Sequence, residues 1–141
     1  MTAATASRKE RLEGVYDALQ RRDREDFRRR IVELMHPDCE WTPLITEVEG
    51  GGPYHGPDGM IEFFDDFLGS FEVRYVDPEF RSVGADTVLL LVTMQVRGRE
   101  SDVEVPRELG LVFEFEDELV RRAHAHYSHD RAIAESEARR A

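Results

Sequence analysis

The chain has 141 residues, 40% of them hydrophobic and 35% charged, and a formal net charge of -11. That length can bury roughly 68–70% of the extended surface in one core without disulfides or metals, and this composition is too apolar for disorder. The acidic balance repels a chain of phosphates and argues against nucleic acid, the single Cys39 excludes an intramolecular disulfide, and no apolar run approaches the ~18–20 residues that span a bilayer.

The opening MTAATASRKERLE lacks the apolar core of a signal peptide, so a cytoplasmic location is expected. Ser7 followed by Glu10 has the spacing of a capping box, and Leu12, Val15, Tyr16 and Leu19 then recur at i, i+3, i+4, i+7. This predicts an amphipathic helix to about Arg22. Asp23 can cap a second helix with Phe27, Ile31, Leu34 and Met35 on one face, ending before Pro37.

Glu40 to Leu44 is a short strand candidate in which Pro43 marks an edge or an end. The segment from Glu47 to Gly56, with Gly50-Gly51-Gly52-Pro53, predicts a loop. Pro57 and Asp58 suit the start of a third helix with Met60, Ile61, Phe64, Phe67 and Leu68 on one face and Gly69 closing it.

From Phe71 onward the apolar period becomes two, in Phe71, Val73 and Tyr75, then across Val88 to Arg97, Val103 to Glu116 and Leu119 to Tyr127. Short links at Gly84-Ala85-Asp86, around Gly98 and at Asp117-Glu118 predict antiparallel hairpins. Asp130 to Ala138 can form a last short helix. The expected class is therefore α+β, one domain over residues 1–141, with three N-terminal helices on a curved antiparallel sheet and frayed tails at 1–6 and 136–141.

The segments VYDALQRRDREDF, HPDCEWTPL, EGGGPYHGPDGMIEFFDDFL, VRGRESDVEV and LVFEFEDELVRRAHAHYSHDRA, in this order, resemble the nuclear transport factor 2-like, SnoaL-like proteins. The resemblance runs from Arg11 to Ala134. It implies a cone-shaped α+β barrel, a cavity at its wide end and a homodimer formed through the sheet face. It also places Tyr16 where the ketosteroid isomerases of this fold carry an oxyanion-hole tyrosine. The isomerase's two carboxylate positions fall instead at Thr42 or Pro43 and at Leu111.

Strand alternation turns Leu111, Phe113 and Phe115 to one face and Val112, Glu114 and Glu116 to the other; Leu90, Val92, Met94 and Val96 join the first set. Similarity to the isomerase turns Ala123, Ala125 and Tyr127 inward. Tyr16, Trp41, Tyr54, Phe64, Phe67, Met94, Phe113 and Tyr127 then form the expected wall of an apolar pocket for a small apolar or aromatic ligand. His55 and Glu47 belong to the loop at its mouth, and Arg107 has inward parity.

Tyr16, His55 and Tyr127 are the candidate catalytic groups. His124-x-His126 has metal-ligand spacing, with His129 and Asp130 nearby, but the simpler reading pairs these imidazoles with Glu114 and Glu116 across strands on a dimer surface. No metal is assigned on that simpler reading, and no cofactor either, since no glycine-rich phosphate loop follows a strand. Three functions fit: an isomerase, cyclase, dehydratase or hydrolase-type enzyme using Tyr16, a non-catalytic ligand-binding module, and a dimeric regulatory or structural module.

Overall fold

A computed structural model describes residues 7–44, 53–98 and 104–140. The Ser7 hydroxyl accepts from the Glu10 amide and the Glu10 carboxylate accepts from the Ser7 amide, so the capping box forms and starts α1 (Arg8–Gln20). Arg22, at φ 59°, turns the chain sharply, and the Asp23 side chain caps α2 (Arg24–Leu34) by accepting from the Asp26 amide. Phe27, Ile31 and Leu34 are the buried face of α2.

The strand after α2 is longer than its sequence suggests. β1 (Met35–Thr42) begins directly at the helix end and runs through Pro37, leaving Pro43 just beyond it. β2 (Tyr54–His55) leads into α3 (Gly56–Ser70), with Pro57 in its first turn. β3 (Phe71–Val83), β4 (Thr87–Gly98), β5 (Glu104–Glu116) and β6 (Leu119–His126) follow, and α4 (His129–Arg140) ends the chain.

The six strands lie in the order β2-β1-β6-β5-β4-β3. From β3 to β6 every neighbour is antiparallel, as the hairpin links require, and Asp117 supplies the left-handed residue of the β5–β6 turn at φ 57°. β1 corrects the all-antiparallel expectation, because it pairs parallel with β6, Trp41 opposite Ala123. Parallel pairing is open to these two strands because more than half of the chain, rather than a tight turn, connects them.

The expected cone-shaped barrel is corrected as well: the sheet is not closed, and β2 and β3 are its edges. The two residues of β2 offer too little ladder to carry pairing round to β3, and α3 bridges that gap with contacts to β1, β2 and β3. The helices also differ from a purely N-terminal set of three, since α3 follows two strands. The described residues thus form an α+β fold of four helices and a six-stranded mixed sheet.

One face of the sheet packs against α1, α2 and α3 around Leu12, Ile31, Trp41, Met60, Leu90 and Phe113. The other face carries α4, whose Ala132 and Ile133 cover Leu89, Leu91 and Val112. The face expected to meet a second subunit is therefore covered at its centre by the chain's own last helix. Residues 136–140, expected as a tail, continue that helix, and Ser136 is buried. No described helix is long and apolar enough to cross a membrane.

Candidate functional site

Between the helices and the inner sheet face lies a cavity of about 580 Å³. α1 contributes Leu12, Tyr16 and Leu19; α3 contributes Phe63, Phe64 and Phe67; the sheet supplies Trp41 from β1, Leu90, Val92, Met94 and Val96 from β4, and Leu109, Leu111 and Phe113 from β5. The alternation of the strands explains this lining, since residues two apart share a face. On β6 the inward position is Ala125, whose small side chain leaves space that a Leu or Phe would fill.

An aromatic cluster shapes one side. Trp41 stacks on Phe64 with ring centroids 6.0 Å apart and meets Phe63 edge-on at 5.6 Å. Tyr54 meets Phe63 at 5.5 Å, and Phe63 stacks on Phe67 at 5.6 Å. Such pairs hold their rings beyond what area burial alone provides. A second group surrounds Tyr16, whose ring lies edge-on to Tyr75 at 6.1 Å and to Phe80 at 5.9 Å.

The polar groups are few and unequally satisfied. The Tyr16 hydroxyl and the Trp41 indole N–H are both buried and find no hydrogen-bond partner among the described residues. Buried polar atoms are nearly always paired in folded proteins, so two unpaired ones on residues that line the same cavity are informative. The Tyr127 hydroxyl does have a partner, donating to the Leu44 carbonyl at 3.3 Å. That bond ties the residue after β6 to the segment following β1.

Burial raises the Tyr16 phenol above its ordinary value, and the nearby charge of Asp77 raises it further. Burial pushes Tyr75 up as well, by more. Both groups are therefore neutral phenols at physiological pH and can donate hydrogen bonds. At the rim stand Asp66, Ser70 and Arg107, all exposed. Asp66 is the sole carboxylate and Arg107 the sole cation among the described lining residues.

Of the residues singled out in the sequence, Tyr16, Trp41, Tyr54, Phe64, Phe67, Met94, Arg107, Phe113 and Tyr127 all line this cavity. His55 does not: it is exposed, at the N-cap of α3 without a side-chain capping bond. Glu47 lies outside the described residues. Four lining aromatics, Phe63, Phe71, Tyr75 and Phe80, were not among the residues expected there. Phe63 sits beside the apolar stripe of α3, and the Phe63-Phe64 doublet was its signal. Tyr75 belonged to a recognised strand.

Phe80 has the wrong parity for an unbroken strand. The register shift between Val76 and Glu79, with Asp77 at φ 54° before Pro78, resets the alternation and turns Phe80 inward. An Asp-Pro pair inside an apolar run is the sequence signature of such a break.

On the opposite face the two histidines have partners other than those expected. His124 lies opposite Val112 and His126 opposite Gly110, while Glu114 lies opposite Arg122. The bulge at Glu114/Phe115 and the seating of α4 bring in Glu135 instead. Its Oε1 is 2.9 Å from His124 Nδ1 and 3.0 Å from His126 Nε2. The hydrogen bond with His124, then that with His126, holds the Glu135 carboxyl down to about 2 against the cost of burial. His129 is elsewhere, its ring donating to the Val92 carbonyl at 2.9 Å and its amide to Glu108.

Comparison with solved structures places the fold firmly. A protein of unknown function from Burkholderia pseudomallei, described as similar to nuclear transport factor 2, superposes with a TM-score of 0.71 at 23% identity, covering 92% of this chain and 97% of that one. TerC, co-crystallised with polyporic acid, gives 0.69 at 23% identity over 94% and 99%. A candidate polyketide cyclase from Pseudomonas putida gives 0.71 at 13% identity over 89% and 95%. No curated protein matches the sequence. The model of the SnoaL-like domain matches residues 12–123, most of the chain, and the chain belongs to that family.

Proposed function

We propose that this protein binds a small, flat, largely apolar molecule in the cavity between its helices and its sheet, holding a hydrogen-bond acceptor of that molecule with Tyr16. The observation that carries this reading is the pair of buried, unpartnered donors, the Tyr16 hydroxyl and the Trp41 N–H, on the wall of an otherwise apolar chamber of about 580 Å³. Apolar pockets of this size with a few converging polar groups are the usual form of small-molecule sites. A carbonyl or quinone oxygen suits the Tyr16 donor, and the aromatic cluster accepts a ring by stacking.

The arrangement favours binding and polarisation over proton transfer. A phenol raised above its ordinary value gives up its proton reluctantly, and the sole carboxylate of the described lining, Asp66, is exposed at the rim. TerC, with the same fold, was co-crystallised with polyporic acid, which supports a small-molecule reading for this pocket. Arg107 and Asp66 at the mouth suit the polar end of a ligand whose apolar end enters first.

Trp41 is the chain's single tryptophan and stands in the wall, so its fluorescence reports occupancy directly. Titration with planar aromatic ketones, quinones and steroidal enones should give saturable quenching by at least one class. Linear, non-saturating responses to all three classes would remove the proposal.

A further inference from the structure

We propose that His124, His126 and Glu135 form a binding site for a single divalent transition-metal ion, on the sheet face opposite the cavity, that fastens α4 to β6. Alternation along β6 turns both imidazoles to the same side, and their rings lie 4.2 Å apart. α4 crosses above them and lowers Glu135 between the two. One donor atom from each of the three residues lies within 4.8 Å of the other two, and Glu135 Oε1 meets Nδ1 of His124 and Nε2 of His126.

These spacings suit coordination. Bonds of ~2.0–2.2 Å from one ion to nitrogen and oxygen place neighbouring ligand atoms roughly 3–3.5 Å apart. The two His–Glu separations, 2.9 and 3.0 Å, are already close to that, so a small outward rotation of the carboxylate opens the centre. Two imidazoles with one carboxylate select Zn²⁺, Co²⁺, Ni²⁺ or Fe²⁺ over Mg²⁺ and Ca²⁺, which prefer all-oxygen shells.

The scaffold is regular secondary structure on both sides, which fixes donor positions better than loops do. α4 is held at its start by the His129 contacts to Glu108 and Val92, and along its length by Ala132 and the buried Ser136. The ligand side chains remain 31%, 11% and 21% exposed, so the ion can enter and water can complete its shell. Ala125, between the two histidines in sequence, lines the cavity, so the ion would brace the wall of that chamber from behind.

The test uses the full chain stripped with chelator. Titration with Co²⁺ should give saturating visible d–d absorption at one ion per chain, and Zn²⁺ should displace it and raise the melting temperature. Glu135→Gln and His124→Gln should each abolish the stoichiometric signal and the Zn²⁺-induced shift, while His36→Ala and His55→Ala should keep both. Circular dichroism on the two glutamine variants separates loss of ligands from loss of fold, and either one that folds decides the matter. No saturable Co²⁺ signal, or a signal that survives Glu135→Gln, overturns the site and leaves a carboxylate clamped by two imidazoles.

Discussion

Gly110 on β5 and Ala132 on α4 touch so closely that a Cβ on the glycine would overlap the Cβ of Ala132 and come 3.3 Å from the Ser128 carbonyl oxygen. The helix can lie this near the sheet only because the strand has no side chain there. Gly110→Ala should therefore cost about 1–3 kcal/mol, the usual range for overpacking a filled site. Hydrogen exchange should show α4 losing protection well before the β3–β4 ladder. Unchanged melting and exchange would mean that α4 sits further out than described.

Tyr16→Phe should separate binding from stability. Losing one hydrogen bond to a bound acceptor weakens affinity by about 1 kcal/mol, roughly fivefold to tenfold, measured through Trp41 fluorescence. The ligand-free protein should melt no lower than wild type, because the substitution removes a buried hydroxyl that has no partner among the described residues. A variant with weakened folding and unaltered affinity would show Tyr16 to be a packing residue only.

Alkaline titration followed by phenolate absorbance should find two late-ionising tyrosines. Burial raises both Tyr16 and Tyr75, Tyr75 the further. The sign follows from linkage: above about pH 10 an unfolded tyrosine has released its proton while these two, folded, retain theirs. Folding stability should thus fall as pH rises past about 10. Tyr75→Phe should remove the latest part of the absorbance curve, and a curve with all tyrosines titrating together at the ordinary value would contradict this burial.

Asp26 on α2 accepts from Arg21 at 2.8 Å and from Arg30 at 3.0 Å, and pairs with Arg29 as well. These guanidiniums, Arg21 first and Arg30 second, hold its carboxyl well below the usual carboxylate range. A depressed folded value gives stability that is present above the unfolded value, about 3.9, and is lost as pH falls below it. Asp26→Asn should therefore melt lower than wild type at pH 7, with the gap narrowing below about pH 4 and in high salt. A gap that is independent of both pH and salt would assign the effect to helix propensity instead.

Much of this was readable in the residues because local chemistry decides it. Ser7 with Glu10 and Asp23 announce their helices by capping, and period-two runs give the strands and their inward faces. Nine of the eleven residues proposed for the pocket do line it, mostly because parity along a strand and the stripe of α3 are strong constraints. What stayed hidden depends on pairings distant in sequence. Nothing near β1 says that it will lie parallel to β6, and nothing near His124 says that Glu135 will descend on it from a helix. The break at Asp77-Pro78 was visible, yet its effect on Phe80 follows only once the register with β4 is known.

The parallel seam between β1 and β6 also has a meaning in time. Residues 35–42 are made well before their partners around 120–124, so this ladder closes a loop of more than half of the 141 residues and carries a high contact order. Trp41, opposite Ala123 in that seam, therefore waits until β6 has been made before its strand is flanked on that side. Until then a nascent chain exposes an unpaired β1 edge, which makes this strand the natural target for a chaperone or for misassembly.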